Sequence, residues 1–338
     1  MTNRILLIGG GGYVGTELQK VLVEEGYRVR VFDAFWYPKG KWGLDSFPGS
    51  ETIEYVTGDV RNYPLLEEAL IGVDSCIHLA CISNDPSYEL NPSLAYSVNF
   101  EAFRDFIEIL NRSSVKKIIY ASSSSVYGVK SEPKVSEDLS LEPLTDYSRY
   151  KVECEKLLFS NLSSEITFSV LRPSTVCGHS KRQRFDLVVN ILTLSALTEN
   201  IIRVDGGNQF RPNLHIKDML RSYALVLKSN PQTVNREIFN VAGENLTVND
   251  IAIRVKKLVG SSLGSDVKIE YLPVKDSRSY RVSGEKIESK LGFTPKYSVN
   301  DAILEIVQKF TEGIYGDVKS TDYYNLQRMR ELFHQVQA

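Results

Sequence analysis

The chain has 338 residues, of which 42% are hydrophobic and 24% are charged. This length leaves room for about two domains, and the formal net charge of −2 offers no general basic surface for nucleic acid. No apolar run reaches membrane-spanning length, and we expect no signal peptide because the first strand begins almost at once. The four cysteines show no C-x-x-C spacing, which predicts reduced thiols in a cytoplasmic protein without membrane partners.

A glycine-rich turn follows the first predicted strand. Ile5 to Ile8 form an apolar run, Gly9 to Gly12 turn the chain, and apolar residues then recur at helical spacing. Glycines let the backbone approach a pyrophosphate closely, and the free amides of the next helix bind phosphates. The turn fits both the G-x-G-x-x-G and the G-x-x-G-x-x-G spacing, so it predicts a dinucleotide site without identifying the class of enzyme. The candidate cofactor residues here are Gly9, Gly12, Tyr13 and Val14.

An aspartate ends the second predicted strand. Residues 27–32 are strand-like, and the carboxylate of Asp33 that follows is placed to accept hydrogen bonds from the adenosine ribose. A carboxylate at this point favours NAD over NADP, because it would repel a 2′-phosphate. Nearby cations leave binding of NADP open as an alternative, and these are Arg28, Arg30, Lys39 and Lys41.

Strand-like and helix-like segments alternate through the first half. Further strands are predicted at 54–57, 75–79, 117–121 and 167–171, and helices at 65–70, 94–110 and 147–158. Such alternation indicates parallel strands joined by crossover helices, hence an α/β fold with a Rossmann-type, doubly wound parallel sheet.

The pattern becomes less regular after Pro173. A helix is predicted at 185–197, a strand at 201–204, a helix at 214–228 and a late sheet strand at 237–241. Capping boxes that begin at Thr247 and Ser298 predict two more helices. We predict a dinucleotide-binding domain of residues 1–173 plus about 211–245, and a smaller α/β substrate-binding lobe of about 174–210 plus 246–338.

One local cluster of basic residues lies in the loop after the regular pattern. It contains Lys181, Arg182 and Arg184. Two interpretations are open, a solvated loop or a clamp for an anionic substrate.

A tyrosine and a lysine lie four residues apart in a predicted helix without breakers. This spacing places Tyr147 and Lys151 on one helix face. A nearby cation stabilises a phenolate and lowers the pKa of a tyrosine, which makes the phenol a better base. Tyr147 is alternatively a packed aromatic residue at the start of the helix.

Four serines follow a predicted sheet strand. The run Ser122 to Ser125 brings hydroxyl groups to the carboxyl end of that strand, where doubly wound proteins bind ligands. The alternative is that the serines only form a turn.

Further motifs are spread along nearly the whole chain. They are Gly9-x-x-Gly12-x-x-Gly15, Gly58-Asp59-Val60-Arg61, Ile77-His78-Leu79-Ala80, Asn99, the run Ser122 to Gly128, Tyr147-x-x-x-Lys151, Leu171-Arg172-Pro173, Arg211-Pro-Asn-Leu-His215-Ile-x-Asp218 and Phe239-Asn-Val-Ala-Gly243. Taken together, these motifs resemble the extended short-chain dehydrogenase/reductase family, in its group of nucleotide-sugar epimerases and dehydratases. Within that group the chain is similar to UDP-glucose 4-epimerase-like enzymes.

The resemblance implies roles for the catalytic and cofactor residues. Tyr147 would be the base, Ser123 would hydrogen-bond the sugar oxygen, and Lys151 would bind the nicotinamide ribose. The cofactor, NAD, would also contact Asp59, Val60, Leu79, Ala80 and Ser122, together with Tyr147 and Lys151.

The resemblance also implies a substrate site and an assembly. Arg211, and with it Arg278, would hold the phosphates of a nucleotide sugar. The sugar would be bordered by Ser83, Asn84, Ser123, Thr175 and Arg184. Asn99 would support the active-site helix, and His78 and His215 would be structural rather than metal ligands. The helices at 94–110 and 147–158 would form a homodimer interface.

One departure from the family pattern narrows the expected reaction. Dehydratases of the group carry Thr-Asp-Glu where this chain has Ser123-Ser124-Ser125, so elimination of water lacks its acid pair. We therefore predict an NAD-dependent nucleotide-sugar epimerase that acts at C4 of the sugar. An NAD-dependent 4-dehydrogenase or keto-sugar reductase is the alternative, and a non-catalytic, cofactor-sensing regulator is an alternative from another class.

Overall fold

A parallel sheet of seven described strands, six from residues 4–173 and one from residues 237–241, lies at the centre of this computed structural model, which describes residues 3–37, 47–273 and 278–337. The described strands are β1 (Arg4–Ile8), β2 (Arg28–Asp33), β3 (Glu54–Thr57), β4 (Ser75–His78), β5 (Lys117–Ala121), β6 (Thr167–Pro173), β7 (Thr175–Cys177), β8 (Ile201–Asp205), β9 (Phe210–His215), β10 (Glu237–Val241), β11 (Glu244–Thr247) and β12 (Lys268–Leu272). The strand order in the large sheet is β10-β6-β5-β4-β1-β2-β3, and every neighbouring pair is parallel.

Helices cover both faces of this sheet. The described α-helices are α1 (Tyr13–Glu24), α2 (Tyr63–Ala69), α3 (Asp85–Leu90), α4 (Pro92–Tyr96), α5 (Ala102–Arg112), α6 (Asp146–Asn161), α7 (Val188–Glu199), α8 (Ile216–Lys228), α9 (Pro231–Val234), α10 (Val248–Leu263), α11 (Glu285–Leu291), α12 (Val299–Thr311) and α13 (Asn325–Gln337). Successive residues of β1 point to opposite faces: Leu6 packs with residues of α5 and α6, and Leu7 packs with residues of α1 and α8. The predicted Rossmann-type fold class is therefore confirmed.

The strand order reverses beside β1. The chain leaves β1 toward β2 and β3 on one side, whereas β4, β5 and β6 lie on the other. In open α/β sheets a crevice for ligands forms at the carboxyl ends of the strands where the order reverses. The glycine turn after β1 lies at this crevice, as does the serine run after β5.

The second half of the chain adds a smaller unit with its own apolar cluster. Here α7, α10 and α12 pack around the strand pair β8–β12, and β7, β9 and β11 form a three-stranded sheet. Both predicted capping boxes are present, at Thr247 with Asp250 and at Ser298 with Asp301. The exact limits of the two predicted domains remain a prediction.

Two predicted helices differ most from the structure, and a third, predicted at 214–228, begins two residues late, at Ile216, because Leu214 and His215 end β9. The predicted helix 94–110 is divided into α4 and α5 by a π-type turn at Ser97–Glu101. In this turn the buried Asn99 carboxamide accepts a hydrogen bond from the N–H of Ile82 at 2.8 Å and donates one to the Ile82 carbonyl at 3.0 Å. The predicted helix 185–197 begins only at Val188. Phe185 instead packs its ring 5.2 Å from that of Tyr323, and its backbone N–H donates to the Tyr323 carbonyl.

All four cysteines are free thiols. Cys76, Cys154 and Cys177 are buried, and Cys81 is half-buried. Among the described residues, no helix combines the length and the apolar character that crossing a membrane requires.

We expect Gly9→Ala to destabilise the fold more than Gly26→Ala. Both glycines have positive φ, +82° and +84°. A Cβ at Gly9 would lie 2.4 Å from the backbone nitrogen of Ala80, whereas one at Gly26 would meet no described atom within 4 Å. Gly26→Ala should therefore lower the free energy of unfolding only by the penalty of the left-handed conformation, about 1–2 kcal/mol. Gly9→Ala should lower it clearly more. Urea unfolding measures both, and equal losses would contradict the close approach of the turn to Ala80.

Candidate active site

One cleft of about 440 Å³ lies at the carboxyl edge of the large sheet. It is lined by every cofactor, catalytic and substrate residue that the sequence predicted: Gly9, Gly12, Tyr13, Val14, Asp33, Asp59, Val60, Leu79, Ala80, Ser83, Asn84, Ser122, Ser123, Tyr147, Lys151, Thr175, Arg184, Arg211 and Arg278. The structure thus brings these residues together in one cleft.

The glycine turn leaves the start of α1 open to the cleft. Gly12 is the N-cap of α1 and provides no side-chain cap, so the first amides of the helix face the cleft without a side-chain partner. A Cβ at Gly15 would lie 2.6 Å from Gly10, which explains how closely α1 packs on the turn. Free amides at the positive end of a helix suit the phosphates of a dinucleotide.

Asp33 is held in place by the backbone at the end of β2. Its two carboxylate oxygens accept hydrogen bonds from the N–H groups of Gly11, at 2.8 Å, and Phe35, at 2.7 Å. Burial raises the pKa of Asp33, and these two hydrogen bonds oppose that effect. A carboxylate has about four lone-pair directions, so acceptor positions remain for ribose hydroxyls.

Neither of the two described cations that would favour NADP, Arg28 and Arg30, pairs with Asp33. Arg30 pairs with Glu54 at 2.7 Å and donates to the carbonyl of Ala69, and Arg28 is exposed. Lys39 and Lys41 lie outside the described residues.

Helix α6 positions the tyrosine and the lysine. Thr145 caps the helix, which places Tyr147 in its first turn and Lys151 one turn later. The ammonium of Lys151 donates to the carbonyl of Ala121 at 2.7 Å and lies 5.9 Å from the centroid of the Tyr147 ring.

Burial dominates the acidity of the candidate base. It raises the pKa of Tyr147, and the nearby Cys81 and Asp85 raise it further. The largest opposing effects come from a hydrogen bond to Ser123 and from the charge of Arg184. Lys151, which was predicted to lower this pKa, is not among the leading influences on it, and its ammonium lies 5.9 Å from the centroid of the Tyr147 ring. Tyr147 thus stays a protonated phenol until more positive charge is brought close to it.

The serine run points in two directions. The Ser122 hydroxyl donates to Glu155 behind the cleft, whereas the Ser123 hydroxyl faces Tyr147 and lies 2.9 Å from the hydroxyl of Ser125. Ser123 also accepts the backbone N–H of Ser125 at 3.1 Å. The serines therefore form a turn and also line the cleft, and their binding of a ligand stays a prediction.

A buried ion pair behind the cleft holds the helix that carries Tyr147 and Lys151 in place. Arg172 donates to both carboxylate oxygens of Glu155, at 3.0 and 2.5 Å, and its third nitrogen donates to the hydroxyl of Tyr127 at 2.9 Å. The two charged side chains are only 3% and 4% exposed. Glu155 lies one helical turn after Lys151, so the pair fixes α6 against β6.

The basic loop is not solvated as one interpretation held. Arg182 is 2% exposed, and the Arg184 side chain is 11% exposed because it forms an ion pair with Asp186 at 2.8 Å. The loop is drawn inward by hydrogen bonds to α1. These run from the Tyr13 hydroxyl to the Gly178 carbonyl, from the Ser180 hydroxyl to the Tyr13 carbonyl, and from the Lys181 N–H to Glu17.

Two further arginines of the cleft have partners. Arg278 forms an ion pair with Asp85 at 2.9 Å, and Arg211 donates to the carbonyl groups of Phe210 and Arg278. Asn84 donates to Asp186 at 3.1 Å, which links the segment around residue 84 to the basic loop.

Some lining residues were missed by the sequence analysis. Among them are Tyr37, Tyr280 and Asn325. Asn325 begins α13, is 4% exposed, and bonds Arg182 and Ser83. Its part in the cleft follows from long-range folding, and no local motif surrounds it.

His78 and His215, which were predicted to be structural, are both held by neighbouring protein groups. The ring of His78 packs 5.0 Å from that of Phe103, and burial lowers its pKa to about 3. His215 caps α8 by accepting the N–H of Lys217 at 3.1 Å. Within the described ranges, no group of three or more His, Cys, Asp or Glu residues is placed to hold a metal ion.

The known proteins to which the chain is similar include epimerases that act on UDP-sugars by name. The UDP-glucose 4-epimerase of Lactobacillus helveticus is 24% identical over 328 residues, which cover 91% of this chain and 96% of that enzyme. The UDP-glucuronate 4-epimerase of Thermodesulfobacterium geofontis is 26% identical and covers 91% and 96%. The structure of UDP-glucuronic acid 4-epimerase from Bacillus cereus, in complex with UDP-glucuronic acid and NAD, matches with a TM-score of 0.80 and 24% identity over 91% of this chain and 99% of that one.

The family model agrees with the resemblance drawn from the motifs. The model of the NAD dependent epimerase/dehydratase family matches residues 5–242, which is well over half of the chain. The chain therefore belongs to the NAD-dependent epimerase/dehydratase family.

Proposed function

We propose that the chain is an NAD-dependent epimerase that inverts C4 of a nucleotide sugar, with UDP-sugars as the first substrates to test. The observation that carries the proposal is the convergence of Ser123, Tyr147 and Lys151 with the open start of α1 and with Asp33 in one cleft. Similar enzymes act on UDP-glucose and UDP-glucuronate by name.

The residues divide the work by position. Tyr147 takes the proton of the C4 hydroxyl, and Ser123, which lines the same cleft, steadies the same oxygen. Lys151 is held by the Ala121 carbonyl, within reach of a nicotinamide ribose. Bound NAD would accept the hydride from the sugar carbon reversibly, and its positively charged nicotinamide ring would favour the phenolate form of Tyr147.

The carboxylates of the cleft argue against dehydration. Among the described lining residues they are Asp33, Asp59 and Asp85. Asp33 accepts two backbone N–H groups, Asp59 pairs with Arg61 at 2.6 Å, and Asp85 pairs with Arg278. Elimination of water needs a carboxylic acid and a base beside the sugar, whereas each of these three carboxylates already has backbone or arginine partners.

The arginines support an anionic, nucleotide-activated substrate. We assign Arg211 and Arg278 to its diphosphate, since a guanidinium pairs well with phosphate oxygens. The pair Arg184–Asp186, with Ser83, Asn84 and Thr175, would surround the sugar and offer both donors and acceptors to its hydroxyls.

The alternatives remain distinct in chemistry. A 4-dehydrogenase or keto-sugar reductase would use the same residues but change the redox state of the sugar. A non-catalytic regulator would not need a tyrosine and a lysine placed together in the cleft. The homodimer through the helices at 94–110 and 147–158 stays a proposal, supported by the packing of α5 and α6 against each other on one face of the sheet. The cytoplasmic location also stays a proposal, supported by the four free thiols.

We expect NAD to bind at least tenfold more tightly than NADP. A 2′-phosphate would face the Asp33 carboxylate and remove its ribose hydrogen bonds, and a hydrogen bond to a charged group is worth about 1.5–3 kcal/mol. Calorimetric titration of nucleotide-free protein measures both affinities. Asp33→Asn should narrow the difference, and comparable affinities for the unaltered protein would contradict the assignment.

Tyr147→Phe should lower kcat by about 10²–10⁴-fold, the usual loss for a removed general base, because it deletes one hydroxyl and little volume. Tyr150→Phe is the matched control. Tyr150 lies on the same helix and stacks on Tyr88 with ring centroids 5.9 Å apart. Steady-state kinetics should show near-native turnover for this control, and native turnover for Tyr147→Phe would make Tyr147 a packing residue.

We expect the purified protein to interconvert C4 epimers of a UDP-sugar without added NAD. Epimerisation returns the hydride to the same sugar, so the reduced cofactor should not accumulate. NMR follows the products, and absorbance follows reduced nicotinamide. Stoichiometric formation of NADH, or a strict need for added reductant, would select the alternative with net redox change.

A further inference from the structure

Among the residues that the structure describes, Arg182 is a buried cation of the cleft without an ion-pair partner. It is 2% exposed, and its Nε atom is buried without a hydrogen-bond partner in the described part of the chain. Its guanidinium otherwise contacts two neutral groups of the described residues. These are the ring of Tyr37, whose centroid lies 3.6 Å from the guanidinium carbon, and the side-chain oxygen of Asn325 at 2.6 Å. An unpaired buried charge is costly, so the site is suited to an anionic ligand.

The position of Arg182 indicates which part of the cleft this ligand occupies. The loop that carries Arg182 is bonded to Tyr13 and Glu17 in the first turns of α1, where the amides are open to phosphate. Tyr37 follows Asp33 by four residues, and the charge of Asp33 acts on Arg182. Arg182 therefore lies on the dinucleotide side of the cleft.

The arginines assigned to the substrate have other partners. Arg278 is paired with Asp85, and Arg211 donates to the carbonyl of Arg278. Arg184 is neutralised by Asp186. Arg182 differs from them, since among the described residues no carboxylate lies within ion-pair distance of it.

Helix α13 fixes the guanidinium from outside the segment matched by the family model, residues 5–242. The Asn325 side chain accepts from Arg182 and donates to the Ser83 hydroxyl at 2.8 Å, and its backbone N–H donates to Asp186 at 3.2 Å. Because three segments meet at this residue, Arg182 has little freedom to leave the cleft.

We propose that Arg182 binds the diphosphate of the dinucleotide cofactor and that Asn325 holds it there, so that NAD stays bound from one turnover to the next. The proposal rests on the proposed function, since an epimerase must retain NAD between removing and returning the hydride. A diphosphate is also present in a nucleotide sugar, and the test separates these two sources.

The test measures NAD that stays with the protein, independently of catalysis. Unaltered protein, Arg182→Gln and Arg330→Gln are purified without added cofactor, and the NAD released by acid is counted per chain. Arg330 is exposed on α13, so its variant matches the change in charge away from the cleft. Calorimetry then gives the affinities of the nucleotide-free proteins for NAD and for UDP.

Arg182→Gln should weaken NAD binding by about 10- to 100-fold, as expected for loss of a hydrogen bond to a charged group. UDP affinity should stay unchanged, and Arg330→Gln should match the unaltered protein in both. Weakened UDP binding with native NAD binding would assign Arg182 to the nucleotide sugar and overturn the proposal, as would native binding of both.

Asn325→Ala decides the question if Arg182→Gln does not fold. It keeps the cation but removes the acceptor that holds it, so NAD binding should weaken by about 2- to 10-fold. Unchanged NAD affinity would contradict the role of α13. If the unaltered protein converts no UDP-sugar while NAD retention depends on Arg182, the proposed function fails and this inference stands.

Discussion

The buried ion pair between Glu155 and Arg172 is the interaction on which the site depends. It joins α6 to β6, and through the hydroxyl of Ser122 it joins both to the end of β5. Removing one partner of such a pair leaves an uncompensated buried charge, which costs about 3–5 kcal/mol. Tyr147, Lys151 and Glu155 lie at intervals of four on one face of α6, so the same contact that secures the helix also sets where the tyrosine and the lysine meet the cleft.

Much of the fold followed from local patterns. Alternating apolar strands and amphipathic helices predicted the parallel sheet, since each strand had to be buried on both faces. The cleft was predictable because its residues lie just after strands β1, β2, β4 and β5, where turn residues and hydroxyl groups stand out from the apolar runs before them. Motifs of this kind are short in sequence, and the sheet topology alone brings them together.

What escaped prediction depends on contacts between distant segments. Asn325 reaches Arg182 across 143 positions of the chain, and nothing around it marks it as part of a cleft. The basic loop was ambiguous for a related reason: a run of like charges is solvated when alone, but here Asp186, Asn325 and the first turns of α1 give it partners. The start of α7 was predicted too early because Phe185 has the apolar character of a helix residue, while its ring is used to pack on Tyr323.

The π-type turn at Ser97–Glu101 has a consequence for how this chain can vary. Each residue of an α-helix advances about 100° around its axis, so a residue gained or lost in this turn would rotate α5 relative to α4. Phe103 and Phe106 would then leave the core beneath the sheet, and the Asn99 carboxamide would lose the backbone of Ile82. Length is therefore more tightly constrained here than residue type: related chains are expected to exchange exposed side chains in this segment freely, but to keep its number of residues.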